Sequence, residues 1–163
     1  MREILFRGKT NFEGRDTQWV YGGLLPESAN TFPIIVRDYD NDEEWIGITE
    51  WATVDPETVG QYTGLTDKNG KRIFEGDIIS IMFETDGVDG FTGYTWYESA
   101  TVIFSEEKYA WLVVFNDGGE EMYLSEYDGY DDVVVIGNIH DKPELLSGNV
   151  QDLPAEQLTL IEI

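Results

Sequence analysis

The chain has 163 residues, 33 of them acidic and 10 basic, and a formal net charge of −23. It has no cysteine and one histidine, which excludes disulfides, cysteine-based zinc sites, iron–sulfur clusters, thiol catalysis and any site that needs two imidazoles. Because 41% of the residues are apolar and 13% aromatic, it can bury a core, and we expect a folded domain.

The first part of the chain is predicted to be β-structure. Short apolar runs predict strands at 4–8, 18–25, 31–36 and 45–51. The first two are expected to form a hairpin. The third should lie at a sheet edge, since Pro33 cannot donate to a strand ladder. Residues 38–44 are polar and acidic, and are predicted to be a loop.

The middle of the chain carries closely spaced turn signals. Pro56 fixes its own φ angle, and several glycines follow it. The dipeptide Asn69-Gly70 predicts a hairpin with a type I′ turn, in which both central residues have positive φ. A turn at 75–77 then leads into a strand to Phe83, whose weak alternation indicates burial on both faces.

The last part is predicted to continue as strands and to end in a short helix. The strands are expected at 98–104, 109–115, 121–124 and 131–139. Pro143 is a favourable first helical residue, so a short C-terminal helix is predicted from there to Leu146. Residues 147–163 are predicted to be a tail that docks on its own chain or on a neighbour.

The fold class expected from these elements is mainly β with a minor α component. The main domain is predicted to span residues 1–146. Within it, an N-terminal β-hairpin region covers 1–55, and a small SH3-like or partly open β-barrel covers 56–146. The start of the chain lacks the apolar run of a signal peptide, and no 18-residue apolar stretch occurs, so we expect a soluble cytoplasmic protein.

The negative charge is concentrated in the second half of the chain. Residues 1–36 contain four acids and four bases, whereas 84–132 contain 13 acids and one base, Lys108. Such a field repels nucleic acid and anionic membranes, so neither is expected as a direct partner. The acids can serve as a solvated face, as a surface for a basic protein such as a DNA-binding protein, or as ligands for divalent cations.

Aromatic residues occur in the same acidic region. They are Tyr94, Trp96, Tyr97, Tyr109, Trp111, Tyr123, Tyr127 and Tyr130. The surrounding charge has the wrong sign for binding single-stranded nucleic acid. Packing in a β core is the simplest use of these side chains, and a protein interface or a carbohydrate-binding face is the alternative.

Several ordered motifs resemble the YopX family of phage and prophage proteins. The central ones are PETVGQYTGL at 56–65, DKNG at 67–70 and IFEGDI at 73–78. Others are ILFR at 4–7, WVYG at 19–22 and VIGNIHDKPELL at 135–146. The resemblance covers 1–146 and implies a phage- or prophage-encoded protein that acts in a bacterial cytoplasm and self-associates. It implies no activity.

The central motif is either a folding element or a binding site. Its glycines, with Thr63, Asp67 and Asn69, are ordinary turn residues, which favours the structural interpretation. If it is a site, Gln61, Tyr62 and Asp77 are the candidate binding residues.

Catalytic and metal signals are weak. His140 is the only side chain suited to acid–base chemistry near neutral pH; it is a candidate binding residue, although packing explains it more simply. Asp38, Asp40 and Asp42 occupy positions 1, 3 and 5 of an EF-hand-like loop, but Glu43 and Thr49 stand where glycine and glutamate are required. These aspartates are therefore weak metal candidates, and no cofactor is predicted.

The sequence favours a non-catalytic accessory protein of unknown function. We expect a homo-oligomer that presents an acidic surface to a basic host or phage protein. One alternative is a hydrolase that uses two carboxylates or a metal ion. A purely structural oligomer is the other.

Overall fold

The structure is a computed structural model that describes residues 3–11, 16–25, 33–41, 46–85, 93–127 and 133–146. The chain forms two compact units, Met1–Gly64 and Leu65–Ile163. Their regular structure is almost entirely antiparallel β-strand, with short 3₁₀ turns between strands. The predicted mainly β class is confirmed.

The first unit is built on five strands. They are β1 (Phe6–Lys9), β2 (Trp19–Leu25), β3 (Ile34–Asn41), β4 (Ile46–Thr53) and β5 (Gly60–Thr66). In the sheet they lie in the order β4-β3-β2-β1-β5, and each neighbouring pair is antiparallel. The end of β5, after Gly64, belongs to the second unit.

The two faces of this first sheet differ in composition. One face buries Val20, Ile35 and Val54, with Phe6 and Leu24 packed beside them. Since side chains alternate along a strand, the regular part of the register of β1 to β4 places ten other residues on the opposite face. They are Arg7, Lys9, Trp19, Tyr21, Gly23, Leu25, Ile34, Val36, Trp51 and Thr53. We call this the outer face; Trp51 is its most exposed large side chain, at 57%.

Two expectations for this unit were wrong. Pro33 precedes β3, and β3 lies between β2 and β4 rather than at an edge. The missing N–H of Pro33 is therefore not required in the strand ladder. Its backbone interaction is made through the carbonyl oxygen, which accepts a 3.0 Å bond from the Val54 N–H. The acidic stretch predicted as a loop begins as strand, since β3 continues to Asn41.

The second unit is built around a five-stranded antiparallel sheet. After β6 (Arg72–Phe74) come β7 (Asp77–Glu84), β8 (Thr95–Ser105), β9 (Ala110–Phe115), β10 (Glu121–Tyr123) and β11 (Val133–Asn138). The order in the sheet is β10-β9-β8-β7-β11.

Both faces of the second sheet are covered near β7. Ile79 and Ile81 join the larger core with Val102, Val113 and other apolar side chains. On the opposite face, Ile78 packs with residues that include Leu145. This two-sided burial accounts for the weak alternation in the sequence of β7.

The barrel and the C-terminal helix need correction. Among the described residues there is no closed barrel but two open sheets, and an SH3-like form is not confirmed. The predicted C-terminal helix is not supported. Pro143–Leu146 is a single 3₁₀ turn, in which the Leu145 N–H donates to the carbonyl of Lys142 while the Leu145 side chain is buried.

The remaining domain predictions are not tested by this architecture. The predicted tail, 147–163, lies outside the described residues. The internal division between residues 55 and 56 stays a prediction.

Adjacent glycines in β2 allow a matched test of packing. A Cβ atom added at Gly22 would overlap the backbone carbonyl oxygen of Val36, whereas one at Gly23 would meet nothing within 4 Å. We expect Gly22→Ala to lower the free energy of unfolding by about 2–3 kcal/mol, because backbone must shift. Gly23→Ala should change it by less than about 0.5 kcal/mol. Denaturant unfolding followed by tryptophan fluorescence measures both, and equal effects would contradict the packing described for β2 and β3.

Candidate functional site

The aspartate of the central motif, Asp67, binds backbone rather than a ligand. Its side chain is 6% exposed. One carboxylate oxygen, Oδ1, accepts 2.9 Å bonds from the N–H groups of Asn69 and Lys71, as aspartates do in turns. The other, Oδ2, accepts a 3.0 Å bond from the N–H of Val135 in β11. Asp67 therefore joins the turn at 67–71 to a strand that lies 68 residues later.

The turn itself differs from the predicted type I′. Gly70 has a φ of 77°, but Asn69 does not have positive φ. The Gly70 N–H donates to the carbonyl of Asp67, and the Asp67 N–H donates to the carbonyl of Lys71. Asn69 donates its own N–H to the Asp67 carboxylate, and the positive φ that favours glycine occurs at Gly70, which follows the two central residues of this turn.

The second motif aspartate, Asp77, is also buried, with 1% exposure. Its Oδ2 accepts a 2.8 Å bond from the Phe74 N–H across the Glu-Gly-Asp turn. Gly76 in that turn has a φ of 77°, donates its N–H to the carbonyl of Val102 and accepts from the N–H of Ile139. The turn is thus bonded to β8 and to the residue that follows β11.

His140 lies beside this turn. A Cβ atom added at Gly76 would be 3.9 Å from the His140 Nε2. Asn138, which pairs with Asp77 across β11 and β7, accepts from the backbone N–H groups of His140 and Asp141 through its Oδ1. The structure therefore brings two of the predicted binding residues, Asp77 and His140, to one corner of the second unit.

The other two predicted binding residues, Gln61 and Tyr62, lie in β5 in the first unit. Gln61 is half-buried opposite Phe6. Tyr62 is 6% exposed, and its N–H donates to the carbonyl of Leu5 at 2.8 Å. A ligand role for the four predicted binding residues stays a prediction.

The three weak metal candidates stay a prediction, because one of them lies outside the described residues. Asp38 and Asp40 lie within β3, and Asp42 lies outside the described residues. No group of three or more histidine, aspartate or glutamate side chains suited to hold a metal ion occurs among the residues that the structure describes.

Part of the aromatic set packs along the second sheet. The rings of Phe83 and Trp96 stack with centroids 5.3 Å apart, and Tyr94 contacts Trp96 at 5.5 Å. The Trp96 indole N–H donates a 2.7 Å bond to Glu98. This aromatic group lies at the boundary between the core and solvent, since Trp96 is half-buried and Tyr94 is 66% exposed.

Carboxylates surround Tyr127, whose hydroxyl lies 3.0 Å from the sulfur of Met122. Partial burial raises the pKa of Tyr127, and the negative charges of Glu126, Glu98 and Glu120 raise it further. Both causes disfavour the phenolate.

Further aromatic residues, on both faces of the second sheet, lie at or near the connection between β8 and β9. We call this region the hairpin end and define it by Phe104, Glu106, Glu107, Lys108, Tyr109, Trp111, Glu121 and Tyr123. Tyr109 is 84% exposed, Tyr123 44% and Phe104 41%. The ring of Phe104 meets Trp111 edge-on at 5.0 Å. Lys108 forms a 2.7 Å ion pair with Glu121 and lies 6.0 Å from the centroid of the Tyr123 ring.

The sequence did not distinguish these residues from the other aromatics. One sequence signal could have distinguished Tyr109. It follows Glu106-Glu107-Lys108 at the end of a hairpin turn, a position at which glycine or asparagine is the expected residue type. Tyr130 lies outside the described residues.

The family signature covers most of the chain. The model of the YopX protein family matches residues 6–147. The chain belongs to the YopX protein family. The match includes both buried motif aspartates and the hairpin end, which confirms the resemblance inferred from the sequence motifs.

Comparison with solved structures supports the fold. The chain is similar to the crystal structure of protein EF1440 from Enterococcus faecalis, at 24% sequence identity and a TM-score of 0.52. The match covers 90% of this chain and 99% of that one. No curated protein matches the sequence. Among the described residues, no helix has the length and apolar character needed to cross a membrane.

The role of Asp67 as a backbone acceptor can be tested by amide substitution. We expect Asp67→Asn to lower the free energy of unfolding by about 2–3 kcal/mol, because an NH₂ group would then face backbone donors. Asp55→Asn is the matched control. The Asp55 side chain accepts one N–H bond, from Glu57, at the start of a 3₁₀ turn, where asparagine serves as well as aspartate. Urea denaturation compares the two, and a stable Asp67→Asn variant would contradict a structural role.

Proposed function

We propose that this YopX-family chain is a non-catalytic protein-binding protein whose second unit presents an acidic surface to a basic partner. One observation carries the proposal. Of the eight described acids between Glu84 and Glu126, seven are exposed and Glu98 is half-buried. Lys108, the one base in this stretch, is already paired with Glu121. Little positive charge is left there to balance the carboxylates.

A basic protein segment is the partner that such a surface favours. Nucleic acids and anionic lipids carry the same sign of charge and are repelled. Lysine and arginine side chains instead gain charge-assisted hydrogen bonds to carboxylates, and their encounter is accelerated by the long-range field. The DNA-contacting face of a host or phage protein has this chemistry.

The burial and hydrogen bonding of the motif carboxylates favour binding over catalysis as the function of the protein. Asp67 and Asp77 are buried and already accept backbone hydrogen bonds, so they lack the exposure that substrate contact requires. The acids between Glu84 and Glu126 are mostly exposed and solvated, which suits attraction of a partner better than acid–base chemistry.

The biological setting is part of the same proposal. The motifs that resemble the YopX family imply a gene carried by a phage or prophage and a protein that acts in the bacterial cytoplasm.

Salt-dependent binding of a basic probe tests the proposal. We expect the full-length chain to bind an oligo-arginine peptide at about 50 mM salt and to release most of it at about 500 mM, because screening shortens the range of the field. Calorimetric titration measures this, with an oligo-glutamate peptide of the same length and a short DNA duplex as controls. Binding of the duplex, or no binding of the basic peptide at low salt, would contradict the proposal.

We also propose that the chain self-associates through the outer face of the first unit. The ten residues of this face include no carboxylate; of its two cations, Lys9 is half-buried and Arg7 is buried, at 6% exposure. Two chains with a charge of −23 repel each other, so close approach is least costly where acids are lacking. Exposed Trp51, Tyr21 and Leu25 supply apolar area that a second copy would bury.

A charge placed on the outer face should break this association. We expect Trp51→Glu to give a monomer under conditions in which the parent chain is larger, because the new carboxylates would face each other or apolar surface. Ile4→Glu is the control: Ile4 precedes β1 and is 70% exposed. Sedimentation equilibrium over a concentration series measures the mass. A parent monomer, or a Trp51→Glu variant that still associates, would contradict the proposal.

A further inference from the structure

Tyr109 occupies a position that neither packing nor backbone preference explains. Its φ is 50°, and it is the one non-glycine residue with positive φ in the part of the chain that the structure describes. Left-handed backbone is unfavourable for a tyrosine and relaxed for glycine. The next hairpin illustrates the relaxed solution, with Gly119 at a φ of 66°. Because 84% of Tyr109 is exposed, the ring gains little from the core in return.

The second unit exposes several large apolar side chains, and those near the connection between β8 and β9 lie on both faces of the sheet: the register places Phe104 beside Trp111 on one face and Tyr123 beside Leu112 on the other. The large hydrophobic side chains exposed in its described part are Tyr94, Phe104, Tyr109, Tyr123 and Leu146. Three of these five belong to the hairpin end. Tyrosine and tryptophan are the residue types that most often dominate binding energy at protein interfaces. The aromatic side chains at this position therefore resemble interface anchors rather than an unfilled core.

The charges at the hairpin end select the kind of partner. Glu106, Glu107 and Glu121 are exposed around the aromatic rings. Lys108 already occupies the position that an incoming cation would take, since its ammonium group pairs with Glu121 at 2.7 Å and lies over the Tyr123 ring. A carboxylate and an aromatic ring thus hold one cation from the chain itself.

Arginine fits this arrangement better than lysine. A planar guanidinium stacks on an aromatic ring and binds a carboxylate through two parallel hydrogen bonds, whereas an ammonium group acts as a point charge. An arginine from a partner can pair with Glu106 or Glu107 and stack on Tyr109, or displace Lys108 from Glu121.

We propose that the hairpin end is the docking site for an arginine-containing basic segment of a partner protein, with Tyr109 as its aromatic anchor. The inference rests on the proposed function and assigns it to one surface. It also gives a reason for a tyrosine in strained backbone, because the strain presents the ring to solvent at the end of the sheet.

Tyr109→Gly separates binding from folding. Glycine relaxes the backbone at this position and removes the ring, so the variant should be as stable as the parent or more stable. We expect its affinity for the oligo-arginine peptide to fall about tenfold, as loss of an aromatic anchor does. Tyr94→Ala is the matched control, because Tyr94 is also exposed in the second unit but lies outside the hairpin end; it should bind within about twofold of the parent.

Two further measurements test the chemistry of the site. Lys108→Met should strengthen peptide binding about threefold, because it frees Glu121 and removes a like charge. An oligo-lysine peptide of equal length should bind the parent more weakly than oligo-arginine. Peptide-induced NMR shifts should concentrate at the amides of residues 105–110 and 121–123.

The outcomes distinguish this inference from the function on which it rests. If the parent binds the peptide and Tyr109→Gly binds equally well, the site is wrong and the function stands. If the oligo-lysine and oligo-arginine peptides bind equally well, the proposed stacking of an arginine guanidinium on the Tyr109 ring is contradicted. If the parent binds neither peptide at low salt, both the function and the site are overturned.

Discussion

The second unit depends on one buried carboxylate. Asp67 accepts hydrogen bonds from three backbone N–H groups, two in its own turn and one in β11. A single side chain thereby closes the turn that follows β5 and holds the strand at the far edge of the sheet. The Lys68 N–H adds a bond to the carbonyl of Val133 in the same strand. Removing the charge would leave buried donors without an adequate acceptor, which costs more than an ordinary hydrogen bond contributes.

Asp77 repeats this arrangement one turn later. Its carboxylate accepts the Phe74 N–H, and Gly76 links the same turn to β8 through Val102 and to the end of β11 through Ile139. The buried aspartates in the central motif of the YopX family therefore accept hydrogen bonds from backbone N–H groups and so fix the path of the backbone. The connection between β8 and β9 lies at the same end of the second sheet as the turn at Gly76, because Ile78 pairs with Thr101 and β8 then continues to Ser105. Tyr109 is left exposed there.

Local patterns predicted the strands well and failed where distant partners decide. The runs at 18–25 and 109–115 correspond closely to β2 and β9, since alternation and β-branched residues report on burial directly. The sequence shows that Pro33 lacks an N–H donor, which predicted an edge strand. It does not show that the Pro33 carbonyl accepts a hydrogen bond from the Val54 N–H. In place of the predicted C-terminal helix there is one 3₁₀ turn, Pro143–Leu146, and the Leu145 side chain in it is buried on the sheet.

The sequence by itself determined the mainly β class, the family, the positions of the turns and the sign of the charge. Each of these depends on residue type and short spacing. Only the tertiary structure decided that Asp67 reaches a strand 68 residues away, that Asp77 and His140 share a corner, and that Tyr109 is exposed while Trp111 is partly covered. The reason is physical: exposure and long-range hydrogen bonds depend on which strands become neighbours, and one sequence read locally contains no record of those pairings.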